Sequence, residues 1–427
     1  TLKLCDLTGL DIKQFREKIN ESKRYSKWKE SVFSKQLSDS SAHRIQESLI
    51  EFSGFYIRTS TKRNYPINTS SHTLGFLGEV NQKQLDKNKY YTKGDLVGIS
   101  GIESAYENQL RGEKGMKMVL VDKYNRSQGS FNNGEHDTLA IHGKNIISTL
   151  DINLQQYGEK LMQNKIGAIV AIEPSTGEIL SIISAPNYNP NILKGRERGK
   201  NYSVLLNDKY LPLFNRALSG SYPPASSFKL INGLIALQEG TLTPNSTYFC
   251  NGAYYYGHNN KKINCHHAPE LIGLSKAITI SCNSYFCNTF EKLFEKYNST
   301  EEAYNVWTNH LKTFGLGEFL NNDFTIGHKG FIPKSSYFDK YYGQNRWKSS
   351  TIISMAIGQG ELSITPIQMA NFTATIANRG FYYIPHIVKQ IDGDKIDEKF
   401  ITKKYTSIKS EHFETIIKGM EMVLSDI

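Results

Sequence analysis

No stretch of this 427-residue chain approaches the roughly 20 consecutive apolar residues that a membrane-spanning helix needs, and no apolar signal segment opens it. No membrane span is therefore expected within residues 1–427. Cysteine is scarce. Its five residues, Cys5, Cys250, Cys265, Cys282 and Cys287, are too few for a disulfide scaffold and leave the redox compartment open. Acidic residues are outnumbered by basic ones, 41 against 51, for a formal net charge of +10. That excess favours acidic partners such as phosphates or anionic headgroups. The basic residues alternate with acids, however, and no arginine-rich or aromatic-basic motif of a nucleic-acid binder occurs, so no nucleic acid partner is expected. There is no internal repeat at a fixed period and no low-complexity tract. What is present, 39% hydrophobic and 22% charged residues, is the composition of a globular protein, at a length that calls for two or more domains. The chain opens on Thr1 rather than Met and stops inside an apparent helix, "FETIIKGMEMVLSDI", so both ends are expected to be cut or unseen.

Up to about residue 150 the chain is polar and rich in Lys, Glu and Ser, with short helical and strand-like pieces such as "KQFREKINES" and "GFYIRTSTKRNYP". The spacing in "GDLVGISGIESAYENQLRGEKG" predicts a helix from Ile102 to Leu110 with a glycine stop at Gly112. "KNIISTLDINLQQYGEKLMQ" predicts an extended Asn145 to Thr149, a cap at Asp151 and a helix, and marks a domain boundary near residue 150. In "GAIVAIEPSTGEILSIISAP", two β-rich runs, Ala168 to Ile172 and Glu178 to Ser184, flank a Pro-Ser-Thr-Gly turn and read as a hairpin. From Leu271 the pattern is mostly helical until the strand-like "RGFYYIPHIVKQI".

The chemistry concentrates in "SYPPASSFKL", Ser221 to Leu230. Two prolines keep Tyr222 to Pro224 out of helical conformation, so Ala225 or Ser226 is the first place a helix can start. The run that follows puts Phe228, Ile231, Leu234 and Ile235 at helical spacing up to Gly240, and it places Ser226 and Lys229 on one face. A serine hydroxyl is a weak nucleophile that needs a base in contact, and a lysine one turn on serves if burial or a second cation lowers its pKa. A second Ser-x-x-Lys, Ser26 to Lys29 in "SKWK", reads as surface helix. Ser281-Cys282-Asn283, in "AITISCNSYFCNTF", sits at a break between an apolar run and an aromatic helix. A hydroxyl and a carboxamide two apart on a turn can point the same way, one relaying a proton and the other fixing a carbonyl.

Together the two motifs resemble the active-site serine family of penicillin-binding proteins and β-lactamases. "GISGIESAYENQLRG", "TLDINLQQYGEK", "GAIVAIEPSTGEILSIISAPNYNPN", "NRALSGSYPPASSFK", "SCNSYF" and "IGQGELSITPIQMANFTATIANRG" resemble, in order, class B penicillin-binding proteins. Tyr-Pro-Pro before the serine is similar to the elongation type. The resemblance implies an α+β multidomain fold: a mixed N-terminal pedestal, dimerisation-like, over 1–150, and a transpeptidase domain over 151–427 with an antiparallel sheet flanked by helices, incomplete at its C-terminus. It implies Ser226 as acyl-enzyme nucleophile, Lys229 as its base, Ser281 as proton relay and Asn283 as substrate holder, with the Ser226 backbone N–H as half of an oxyanion hole.

The function so implied is peptidoglycan D,D-transpeptidation of D-Ala-D-Ala stem peptides, with β-lactam antibiotics as inhibitors and no cofactor needed for catalysis. A β-lactamase or D,D-carboxypeptidase with water as acceptor, or a non-catalytic cell-wall scaffold, are the alternatives. The resemblance places the protein at the inner membrane with its catalytic domain in the periplasm, and residues 1–150 as an arm that docks a membrane-embedded glycosyltransferase and other elongation proteins. Lys-Thr-Gly, the third motif of the family, occurs nowhere in the 427 residues and is expected on a strand past Ile427.

"YFCNGAYYYGHNNKKINCHHAPELIG" gathers Cys250, His258, Cys265, His266 and His267. Thiolates and imidazoles so close suggest a structural Zn²⁺ on Cys250, Cys265, His266 and His267, although the spacing is not that of a standard finger. In the oxidising compartment that the resemblance implies, a Cys250–Cys265 disulfide competes, and unligated residues are the third possibility. Cys282 and Cys287 read as small packing residues.

Overall fold

The computed structural model describes residues 2–425 apart from 27–30, 35–36, 38, 53, 59–62, 124–126, 196 and 258. Lys29 of the second Ser-x-x-Lys, the middle of "GFYIRTSTKRNYP" and His258 thus lie outside the described residues. Ser26 caps the C-terminus of the helix Ile12–Tyr25, its backbone extended. The chain divides into two units, residues 1–145 with 188–209, and residues 146–187 with 210–427. Among the described residues no helix is long and apolar enough to cross a membrane.

In the first unit the helix Ile12–Tyr25 starts at a capping box, in which Asp11 and Gln14 satisfy each other's backbone N–H groups. It buries Phe15 against Leu4 and Cys5, with Phe33, Phe52 and Phe55 around them. The expected helix from Ile102 forms as two short ones, Gly101–Ala105 and Glu107–Leu110, because Tyr106 between them leaves helical backbone. Two antiparallel pairs complete the unit, Leu77–Glu79 with Leu96–Gly98 and Val119–Val121 with Ser127–Ser130. Asn191 joins the second stretch of the unit to the first, its side chain bonding both the N–H and the carbonyl of Tyr65.

The second unit opens with the strand Ile146–Ser148 and the helix Ile152–Leu161, capped by Asp151 through the N–H groups of Asn153 and Leu154. The hairpin Gly167–Ile172 with Ile179–Ala185 is antiparallel. Its turn closes on Gly177, whose φ of +79° only glycine adopts freely and whose N–H returns to the Glu173 carbonyl at 2.8 Å. Ile179–Ala185 is almost wholly buried, and the buried Gln155 of the capped helix bonds both the N–H and the carbonyl of Ile182. The strand Val388–Ile391 pairs antiparallel with Ile146–Ser148.

The core of this unit is aromatic: Trp307, Tyr285, Tyr304, Phe228, Phe286, Phe290, Phe314 and Phe338 are fully buried. One buried polar bridge in it, at Asn232, matters for the site. Asn232 accepts from Trp307 Nε1 at 2.8 Å and donates to the carbonyls of Met355 and Ala356 at 3.2 and 2.9 Å. A buried amide so satisfied fastens the helix Lys229–Gln238 to the segment 353–357.

Candidate active site and the cysteine cluster beside it

The approach to Ser226 is held on both sides. Tyr222 exchanges two backbone hydrogen bonds with Ile364, each 2.9 Å, and Ser221 Oγ donates to Ser363 Oγ. After Pro223 and Pro224 the chain takes a strained step: Ala225 has φ +52°, unusual for a residue with a Cβ, and its N–H is pinned to the Gly358 carbonyl at 2.8 Å. Ala225–Phe228 then forms one 3₁₀ turn before the α-helix starts at Lys229, so the helix begins three residues later than Ser226. Ser226 is exposed. Its neighbour Ser227, also exposed, donates to the Pro224 carbonyl at 2.6 Å.

Lys229 is the opposite, 2% exposed. Its Nζ donates to the Ser281 carbonyl at 2.8 Å, to Ser281 Oγ at 2.9 Å and to Asn283 Oδ1 at 2.6 Å. Burial lowers its pKa from 10.5 to about 8. Nearby thiols act weakly in the opposite direction. Ser281 and Asn283 converge on one amine because Ser281 ends the helix Leu274–Thr279 in left-handed backbone, φ +53°, and Cys282 caps the next helix, Asn283–Glu295. The Asn283 amide is held at both ends, its Nδ2 donating to the Asn264 carbonyl at 2.7 Å. Among the described residues no hydrogen bond joins Ser226 to Lys229, so the amine is docked on the Ser281–Asn283 turn, one helical turn from the exposed hydroxyl.

The cysteines meet on the far side of that turn. Cys250, Cys265, His267 and Cys282 present ligand atoms that all lie within 4.8 Å of one another. This set differs from the one expected: Cys282 joins it, and His266, exposed, stands outside. The cause is tertiary. Two antiparallel pairs, Thr247–Cys250 with Glu270–Gly273 and Ala253–Tyr256 with Lys261–Asn264, bring Cys250 and Cys265 over the Cys282 cap, a convergence that linear spacing does not encode. All five cysteines are free, with Cys250 and Cys265 Sγ atoms 3.6 Å apart. Cys287 is fully buried and outside the group.

The donor set fits a structural divalent metal. His267 commits Nδ1 to the Ala268 carbonyl at 2.8 Å, which leaves Nε2, buried and without a partner, as the free lone pair. Backbone N–H groups of Gly252, Ser284 and Tyr285 point at the sulfurs of Cys250, Cys265 and Cys282. Burial pushes the Cys265 and Cys282 thiols up, and a bound cation is the charge that reverses this. Three thiolates and one imidazole are zinc ligands.

Residues 167–427 match the family described as the penicillin-binding protein transpeptidase domain, and residues 1–148 the penicillin-binding protein dimerisation domain. The chain belongs to the penicillin-binding protein transpeptidase family. Peptidoglycan D,D-transpeptidase MrdA of Acinetobacter baumannii is 29% identical over 399 residues, 92% of this chain and 56% of that protein. The chain thus spans little more than half the length of this curated relative. The crystal structure of Pseudomonas aeruginosa PBP2 in complex with WCK 5153 superposes with a TM-score of 0.71 at 29% identity, over 84% of this chain and 74% of that one. A chain of a peptidoglycan synthase complex, solved for the coordination of polymerization and crosslinking, gives 0.73 at 26% identity, over 91% of this chain and 67% of that one. The α+β, two-domain architecture expected from the motifs is that of this penicillin-binding protein family, which needs no cofactor for catalysis.

Proposed function

We propose that this protein is a peptidoglycan D,D-transpeptidase of the elongation type, with Ser226 as nucleophile. One observation carries the reading: Lys229, buried, with its pKa lowered to about 8, is held against Ser281 and Asn283 one turn from an exposed serine. A lysine whose amine is partly neutral near physiological pH can take the Ser226 hydroxyl proton as Oγ attacks the D-Ala-D-Ala carbonyl. The Ser226 N–H, at the start of the 3₁₀ turn, supplies one oxyanion donor. Ser281 Oγ, bonded to Nζ, passes a proton to the departing D-alanine amine, and Asn283 orients the substrate amide. An amine of a second stem peptide then takes the acyl group and regenerates Ser226. A β-lactam carbonyl enters by the same attack, and its ring-opened product stays on Oγ.

Residues 1–150 serve in this reading as the docking arm toward a glycosyltransferase and other elongation proteins, and 151–427 as the catalytic part. The peptidoglycan synthase complex among the structural neighbours supports such a partnership. The protein works outside the cytoplasm, at the inner membrane. A structural zinc on Cys250, Cys265, His267 and Cys282 would tie the two hairpins to the catalytic turn. Metal analysis of chelator-free protein is expected to give about one zinc per chain, and none at all would remove this part of the reading.

Fluorescent penicillin tests the whole. The intact protein should be labelled at Ser226, with label lost in Ser226→Ala and retained in Ser227→Ala, and the antibiotic should not be turned over. Rapid turnover would favour a hydrolase, and absence of any label a scaffold.

A further inference from the structure

Oxidation of the cysteine cluster has a direct mechanical route to the catalytic turn. Cys250 and Cys265 Sγ lie 3.6 Å apart, about 1.6 Å beyond disulfide bonding distance. Cys265 Sγ is 3.8 Å from Cys282 Sγ, but Cys282 is fully buried and caps the helix Asn283–Glu295, accepting the Tyr285 N–H. Cys265 is half-buried, whereas Cys250 is 1% exposed, so an oxidant reaches the pair through Cys265. The segment Asn264–Cys265 is also what holds the turn. Cys265 Sγ accepts the Ser284 N–H at 3.2 Å, and the Asn264 carbonyl accepts Asn283 Nδ2 at 2.7 Å. On its other side the same turn holds Lys229 through Ser281 and Asn283.

We propose that Cys250 and Cys265 form a thiol–disulfide switch, closed by a small disulfide oxidant, that loosens the Ser281–Asn283 turn and so disarms Lys229. This rests on the catalytic and zinc readings above, and names the regulation of that same site. The Cys265 thiolate attacks one sulfur of the oxidant RSSR and expels one RS⁻. The Cys250 thiolate then attacks the Cys265 sulfur of the mixed disulfide and expels the second. Two electrons pass from the cysteine pair to RSSR and two protons from solvent give 2 RSH; a divalent metal held by the cluster would lose two of its four ligands, Cys250 and Cys265, and would be released with its charge unchanged. Moving Cys265 Sγ toward Cys250 withdraws the acceptor of the Ser284 N–H, which at a helix start has no carbonyl to replace it.

The intact protein, with its zinc content measured first, is exposed to oxidised glutathione and followed by non-reducing peptide mass spectrometry and amide hydrogen exchange. A Cys250–Cys265 linkage is expected, together with a rise of tenfold or more in exchange at Ser284 and Tyr285, both reversed by dithiothreitol. Protein that contains zinc should release one ion per two thiols lost. A linkage through Cys282 or Cys287, no linkage, or unchanged exchange at Ser284 after closure would overturn the proposal. These readouts need no variant to fold. Zinc-free starting protein would contradict the metal reading alone, and reduced protein that takes no penicillin would contradict the catalytic reading alone.

Discussion

At Lys229 an ammonium group has been removed from water and given only neutral oxygen acceptors, the Ser281 carbonyl, Ser281 Oγ and Asn283 Oδ1. Burial without a carboxylate partner favours the neutral amine, and that is the state a base requires. Lys229→Met should therefore lower β-lactam acylation by about 10²–10⁴-fold, read as the second-order labelling rate. The same shift has a stability signature. The folded pKa, about 8, lies below the unfolded 10.5, so between these values the unfolded chain binds more protons and unfolding free energy rises with pH. The rise should reach about 3 kcal/mol across that window and flatten in Lys229→Met, as denaturant titrations from pH 7 to 11 would show. The Ser226–Lys229 relation was legible because it lies within one helical turn of a single segment. Its role as a base called for an enclosed Lys229, which the structure shows, but the partners that enclose it, Ser281 and Asn283 at the start of the helix Asn283–Glu295, come from tertiary packing. The place of Cys282 in the metal set was hidden for the same reason.

Among the elements, the segment 353–357 and its terminal glycine set the nucleophile turn. Gly358 has φ +69°, and a Cβ there would come 2.2 Å from the Ala225 carbonyl oxygen. Gly358→Ala should push the Ala225 turn away, cost roughly 1–3 kcal/mol of stability, and slow acylation by tenfold or more while leaving the secondary structure intact. Thermal melts, circular dichroism and labelling rates measure the three effects, and an unchanged acylation rate would remove Gly358 from the positioning of Ser226. The glycine-rich "IGQGE" was visible in the sequence, but its job depends on a contact with a residue more than a hundred positions earlier. The hairpin of residues 167–185 was legible through β-branched runs around a Pro-Ser-Thr-Gly turn. The 3₁₀ start at Ala225 was not, since proline rules exclude a helix before Ala225 but do not choose between helix types.

For the molecule as a whole, two functions are expected to separate. Charge reversal on exposed surface of residues 1–150 should impair cell elongation and leave penicillin binding unchanged; reduced penicillin binding would assign that region a part in shaping the active site. Chelation should instead act on residues 146–427, lowering the melting temperature and the labelling rate together, because the cluster and the catalytic turn share Cys282. The order of motifs along the chain made the family readable in the sequence. The joining of Tyr188–Lys209 to residues 1–145 has no such linear signal, since it depends on contacts such as Asn191 with Tyr65. The central claim is that Lys229 deprotonates Ser226, and the most direct test is the pH dependence of β-lactam acylation with the adduct located by mass spectrometry. The account predicts an adduct on Ser226 and a rate that climbs tenfold per pH unit to a plateau with its midpoint near pH 8. An adduct on any other residue, or a Ser226 rate that is flat from pH 6 to 9, would contradict it.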